Sequence, residues 1–213
     1  MWRIASLMTG LIALWIALGS PLATLDHHLL TAHMAQHLLI MTVAAPLILR
    51  GAPAIRLPAG MIHPAICWLA GTTTVIAWHV PALFELGMSS AAWHAFEHAT
   101  FFLAGLLFWW PVIRRCSSPA SSARWGIPLY LFLGTLPCDA LSAFLTFCGR
   151  VVYPHYVSAH RAFDISALGD QEFAGALMWV WVTFVYLAPA AVITMQMLSP
   201  QRRALDADTA ALR

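Results

Sequence analysis

Long apolar runs, each bounded by a few polar or helix-breaking residues, dominate this sequence. A helix that crosses a hydrocarbon core of about 30 Å needs roughly 17 to 25 such residues. The runs lie at residues 3–20, 28–49, 62–80, 91–113, 126–148 and 172–197. Only 9% of the residues are charged, against about 25% in soluble domains, which excludes an ordinary water-soluble fold. We therefore predict one integral membrane domain over residues 1–213, an all-α bundle of about six transmembrane helices.

The arginines predict how these helices are oriented. All 11 basic residues are arginine, and basic residues in short loops are retained in the cytoplasm. By alternation, one side of the membrane receives Arg3, Arg50, Arg56, Arg114, Arg115, Arg124, Arg202, Arg203 and Arg213. The other side receives only Arg150 and Arg161. We therefore predict that both termini are cytoplasmic.

The first run has a second interpretation. Met1-Trp2-Arg3, followed by an apolar stretch that ends near Ser20, also has the form of a signal sequence. Cleavage there would leave five helices without changing the orientation of the others.

Most of the 10 histidines lie on the predicted non-cytoplasmic side, His63 being the exception. Within the helices they are His33, His37, His79, His94 and His98. With a rise of 1.5 Å per residue, His37, His98 and Asp139 all lie about 10 to 14 Å inside the outer helix ends. A carboxyl group at that depth is costly unless it is paired, protonated or bound to a metal, so Asp139 is a candidate functional residue.

Two HxxxH motifs carry the sharpest chemical signal, HMAQH at 33–37 and HAFEH at 94–98. A spacing of four residues puts both imidazoles of a motif on one helix face, where they can bind one ion. Imidazole suits copper, zinc, iron and nickel, and a thioether from Met34 or Met41 suits Cu(I). The predicted metal site consists of His33, His37, His94 and His98, with His79 and Asp139 as auxiliaries.

Several alternatives remain open at this point. Glu97, Asp170 and Glu172 are further carboxylates that can bind a metal or orient an imidazole. Facing histidines in a helix bundle can also bind haem. A membrane-embedded zinc hydrolase, with Asp139 or Glu97 activating water, is another alternative. A copper-permeation pathway is disfavoured because the inner helix halves lack polar ligands.

Several stretches resemble the CtaG family, which is associated with assembly of caa3-type cytochrome c oxidase. They are AHMAQHLL at 32–39 with the following AAPLILRGAP, WHVPALFE at 78–85, WHAFEHATFF with the following LFWWPV at 107–112, and GDQEFAGALMW at 169–179. The resemblance implies a multi-pass protein of the bacterial inner (plasma) membrane that helps copper reach subunit II or another oxidase metal site. It implies the oxidase subunits as partners, subunit II foremost, and a periplasmic copper carrier as a further one.

From the motifs and the resemblance together we expect a copper-binding assembly factor rather than an enzyme. It would transfer the ion by ligand exchange on the periplasmic side. The lipid bilayer is its surrounding medium, and we expect no nucleic-acid partner.

Overall fold

The computed structural model of the protein describes residues 1–53, 63–115, 125–158 and 164–199. Regular secondary structure in these ranges is entirely helical, which confirms the predicted fold class. The helices are α1 (Trp2–Gly19), α2 (Leu22–Leu25), α3 (Leu30–Leu38), α4 (Ala45–Gly51), α5 (Pro64–His79), α6 (Pro81–Met88), α7 (Ala91–Arg115), α8 (Gly126–Phe147), α9 (His155–Ser158) and α10 (Ala167–Leu198). A π-helical segment, Leu39–Ala44, joins α3 to α4.

Five helical stretches in these ranges are long and apolar enough to cross a membrane. They are Trp2–Leu25, Leu30–Gly51, Ala91–Arg114, Gly126–Phe147 and Ala167–Leu198. Helices α5 and α6 form a sixth if they are counted together, although the chain bends by 79° between them. The expected number of about six spans is therefore confirmed as five to six.

One helix boundary agrees with the predicted runs and another differs. The third run ends before Pro81 as predicted, because α5 ends at His79, but Pro81 also begins the further helix α6, at a first-turn position where its missing N–H costs no hydrogen bond. The last helix begins at Ala167 rather than at 172, because Ser166 caps it by accepting a hydrogen bond of 2.9 Å from the Gly169 N–H. Asp170 consequently lies in the first turn of α10 rather than in a loop.

The π-helical segment follows from a proline inside the second span. Pro46 has no N–H to donate and its ring crowds the carbonyl four residues earlier, so the hydrogen-bond ladder is interrupted. The Ala45 N–H instead bonds the Ile40 carbonyl, five residues back. The Met41 carbonyl accepts a hydrogen bond of 3.1 Å from the indole of Trp109, a buried tryptophan of α7. The irregular turn is thus satisfied from a neighbouring helix, as membrane interiors require.

A close approach sets the spacing between α7 and the second span. At Gly105 an added Cβ atom would lie 2.9 Å from both the Met41 carbonyl oxygen and the Ala45 Cβ atom. Only glycine allows the two backbones to come this near. The contact lies one turn beyond His37 and two turns beyond His98, so it holds the two motif helices side by side.

Some residues used in the topology argument lie outside the described residues. They are Arg56, Arg124, Arg161, Arg202, Arg203, Arg213, the loop residue His160 and residue 62, where the third run is predicted to begin. The predicted membrane orientation therefore stays a prediction.

Candidate metal centre

The first HxxxH motif begins at a helix end that is held by a distant carboxylate. Asp170 of α10 accepts hydrogen bonds from the Leu30 N–H at 2.6 Å and the Thr31 N–H at 3.2 Å. The Thr31 hydroxyl donates to it as well, at 2.6 Å. These bonds satisfy N–H groups that the first turn of α3 cannot pair by itself. Asp170, an open candidate for metal binding in the sequence, therefore acts as a helix cap.

A second contact fixes α3 to α1. The buried amide of Gln36 donates a hydrogen bond of 2.8 Å to the Ala17 carbonyl. Together with the cap at Leu30, this bond sets the rotation of α3, so that His33 and His37 face α6 and α7.

Three side chains meet in the interior of the bundle, and we call His33, His37 and Glu97 the buried triad. The Nε2 atoms of His33 and His37 lie 3.4 and 3.5 Å from the same oxygen of Glu97, Oε1. Their ligand atoms all lie within 4.8 Å of one another, so one metal ion can contact all three. The residues are 0%, 5% and 1% exposed, which separates the triad from water.

The polar atoms of the buried triad have no hydrogen-bond partners within the described structure. This holds for both ring nitrogens of His33 and of His37, and for both oxygens of Glu97. A buried polar group without a partner costs about 1 to 3 kcal/mol, so such a cluster is unfavourable unless something binds it. Two imidazoles and one carboxylate are donors that fit a transition-metal ion.

Two aromatic side chains and one glycine contact the buried triad. Phe101 stacks on the His37 ring at a centroid distance of 3.9 Å, and Phe84 of α6 contacts His33 at 5.0 Å. Gly87, also on α6, lies against the carboxylate of Glu97, and an added Cβ atom there would be 2.7 Å from Oε2. The bend before α6 therefore covers the triad with an apolar helix that leaves room for Glu97.

A second cluster reaches the protein surface, and we call Asp26, His27 and His94 the rim triad. His94 Nε2 lies 3.4 Å from Asp26 Oδ2, and His27 Nε2 lies 3.9 Å from Asp26 Oδ1. Their ligand atoms also lie within 4.8 Å of one another. The side chain of His27 is 47% exposed, whereas that of Asp26 is 1% exposed. The rim triad can therefore exchange a ligand with the outside.

Stacked imidazoles connect the two triads. The rings of His94 and His33 are parallel within 8°, with centroids 5.5 Å apart. The ring centroid of His98, in the second motif, lies 4.3 Å from that of His94 and 5.4 Å from that of His37. The four histidines of the two motifs thus form one cluster, which connects the rim triad, through His94, to the buried triad.

The two predicted auxiliaries are placed differently. His79 accompanies His37 at a cavity of about 30 Å³, room for roughly one water molecule. Its Nδ1 lies 2.7 Å from the Val75 carbonyl, so this nitrogen carries the proton and the buried Nε2 is left to accept. Asp139 is not brought to either triad. It accepts a hydrogen bond of 3.4 Å from the Thr183 hydroxyl. The neighbouring Cys138, and not Asp139, borders the cavity.

Residues 148–158, which follow α8, fold back over the site. The hydroxyl of Tyr156 donates to the Asp26 carbonyl at 2.7 Å, and that of Tyr153 donates to the His79 carbonyl at 3.1 Å. Burial raises the pKa of both phenols, so they remain protonated donors. The N–H of His155 bonds the carboxylate of Glu85 at 3.0 Å, which ties the segment to α6.

Sequence reasoning missed the rim triad and left Glu97 as one of several carboxylates. Asp26 and His27 precede the first motif in an interhelical stretch, where a histidine is most often solvated. The available signal was the run Asp26-His27-His28, just upstream of the motif helix. For Glu97 the signal was its position inside the second motif, directly before His98.

Comparison with known proteins adds one finding. The sequence profile of the cytochrome c oxidase caa3 assembly factor family matches residues 1–199. The matched range includes both triads and the helices that carry them. No curated protein and no solved structure matches the chain significantly.

Proposed function

Since the chain belongs to the cytochrome c oxidase caa3 assembly factor family, we propose that it assists the oxidase by binding copper in the buried triad and passing it on. The observation that carries the proposal is the convergence of His33 and His37 on one oxygen of Glu97, although none of these ring nitrogens and carboxylate oxygens makes a hydrogen bond in the described structure. The family is described by its role in assembly of the oxidase, which a protein that binds and releases a metal ion would serve. A binding and release function requires no bond-making chemistry from these residues.

Copper is the metal that the family role favours. Two imidazoles and a carboxylate also suit zinc and iron, so the donors alone do not select the ion. Two buried thioethers, Met34 and Met41, border the same small cavity as His37. Thioether sulfur is a ligand for Cu(I) in particular, and it would let the site hold copper in its reduced form.

The rim triad provides an entrance for the ion. We propose that copper first binds Asp26, His27 and His94, because His27 is exposed and can take a ligand from a donor protein. His33 stacks next to His94, so it can replace a rim ligand before the ion leaves His94. Exchanging one ligand at a time keeps the ion coordinated during transfer.

The proposed setting is the periplasmic face of a bacterial inner membrane. Arg3, Arg50 and Arg114 line one cavity at the far end of the bundle from the triads, consistent with the positive-inside prediction. With that orientation the rim triad opens toward the periplasm. A periplasmic copper carrier is the proposed donor, and oxidase subunit II the proposed acceptor.

A zinc hydrolase is the second candidate, and one observation favours it. The second motif, His94-Ala95-Phe96-Glu97-His98, has the H-x-x-E-H order in which one class of zinc peptidases supplies two ligands and a general base. In this structure, however, Glu97 faces His33 and His37 of the other motif. The haem alternative receives no support, because the cavity beside His37 and His79 is far smaller than a porphyrin.

Metal analysis of the purified protein tests the proposal. We expect copper at a stoichiometric level after loading, with a loss of most of it in His33→Ala, His37→Ala and Glu97→Ala. His63→Ala is the matched control, since His63 is exposed at the start of α5 and belongs to neither triad. Full copper content in all three triad variants would remove the buried triad from the account. Bound zinc together with peptide or lipid turnover would favour the hydrolase.

A further inference from the structure

A large cavity lies at the opposite end of the bundle from the two triads. It measures about 610 Å³ and opens between α1, α4, α7 and α10. Along α7, Arg114 at this cavity lies twenty residues after His94, which corresponds to about 30 Å of helix. That length matches the hydrocarbon thickness of a bilayer, so the cavity lies at the other membrane interface.

Three arginines line this cavity. The Arg3 guanidinium donates a hydrogen bond of 2.7 Å to the Ala52 carbonyl. The Arg50 guanidinium lies over the Trp2 ring at 5.4 Å, and that of Arg114 over the Trp110 ring at 5.2 Å. Carbonyls and aromatic faces orient a guanidinium but do not neutralise its charge. None of the described lining residues is acidic, so three positive charges share the cavity.

Arg114 points most directly to a missing anion. Its Nε and one terminal nitrogen, Nη2, are buried and have no hydrogen-bond partner in the described part of the chain. These are neighbouring donors of one planar fork, the arrangement that binds two oxygens of a phosphate. Charged donors that are buried without a partner, as these two are, are unfavourable unless an anion pairs with them.

The remaining walls are apolar and indicate what the anion is attached to. Pro46, Val112, Pro189 and Ile193 line the cavity next to the arginines. A free phosphate would satisfy the guanidinium groups but leave these surfaces uncovered. A diacyl phospholipid supplies both parts, since its phosphate meets the arginines and its acyl chains cover the apolar wall.

We propose that this cavity binds the headgroup phosphate of an anionic phospholipid, with Arg114 as the principal contact and Arg3 and Arg50 at its sides. The lipid would join the ends of four helices at the interface opposite the triads. The proposal is independent of metal binding, because none of its residues belongs to either triad.

Native mass spectrometry of the full chain in neutral detergent tests this assignment. Phosphatidylglycerol and phosphatidylcholine of the same acyl chains are titrated against wild type, Arg114→Gln, Arg50→Gln and Arg150→Gln. We expect phosphatidylglycerol to be retained about tenfold more tightly than phosphatidylcholine, and this preference to fall about tenfold in Arg114→Gln. Arg150 is exposed and lines no part of the cavity, so Arg150→Gln keeps the preference.

Three results would overturn the proposal. The first is equal retention of both lipids by wild type. The second is equal phosphatidylglycerol retention by Arg114→Gln, Arg50→Gln and Arg150→Gln. If Arg114→Gln does not fold, the comparison of Arg50→Gln with Arg150→Gln still tests the proposal. The third is displacement of phosphatidylglycerol by inorganic phosphate at similar concentration, which would make the ligand a soluble anion. Copper content measured on the same samples should be unchanged.

Discussion

A single methyl group on α6 should weaken metal binding without weakening the fold. In Gly87→Ala the new Cβ atom would lie 2.7 Å from Glu97 Oε2, whereas ordinary contacts to carbon are near 3.5 Å. The carboxylate must therefore move by about 0.5 to 1 Å, and its other oxygen is the one that faces His33 and His37. Changes that misplace a metal ligand in this way typically lower affinity by about 10-fold to 100-fold.

The same substitution should leave the unfolding transition intact or raise it. Alanine favours a helix over glycine by roughly 0.5 to 1 kcal/mol, which offsets the local crowding around Glu97. Gly126→Ala is the matched control, because a Cβ atom at Gly126 meets nothing within 4 Å. Copper affinity is measured by competition with a chelator, and stability by thermal unfolding in the same detergent.

We therefore expect Gly87→Ala to lose at least about tenfold in copper affinity while Gly126→Ala matches wild type. Wild-type copper affinity in a folded Gly87→Ala protein would refute the reasoning. So would a fall in thermal stability as large as the fall in affinity, since that would indicate general damage to the bundle.

Three further predictions concern residues outside the buried triad. His27→Ala should slow copper loading several-fold in a stopped-flow experiment and leave the final copper content unchanged, since His27 belongs to the entrance; an unchanged loading rate would contradict this. Asp170→Asn should lower the free energy of unfolding by about 1 to 3 kcal/mol, because it weakens the cap on α3. Denaturant unfolding measures this, and an unaltered midpoint would count against the cap. Asp139→Asn should keep full copper content by elemental analysis, since Asp139 pairs with Thr183. A loss of copper in this variant would indicate that Asp139 is a metal ligand.

The apolar runs predicted most of the bundle because the bilayer imposes a length on every span. The apolar runs could not predict whether a helix ends or begins at a proline. Pro81 ends one run of apolar residues and also begins α6, and the local sequence is compatible with either. The position of α6 over the triad depends on packing with Phe84 and Gly87, which no periodicity reveals.

The candidate site was predictable in part, because helix geometry fixes which residues of one helix share a face. Four-residue spacing places His33 with His37 and His94 with His98, and the structure brings both pairs together. The sequence could not predict which carboxylate joins the histidines, because that depends on which faces of neighbouring helices pack against each other. Glu97 reaches across to the other motif, whereas Asp139, at a similar predicted depth, turns to Thr183.

X-ray absorption at the copper edge of the loaded protein tests the central claim most directly. The buried triad predicts a first shell of nitrogen and oxygen with imidazole scattering from two histidines in wild type, and loss of this spectrum together with most of the copper in Glu97→Ala. A shell made only of sulfur, or identical spectra for wild type and Glu97→Ala, would show that copper binds elsewhere.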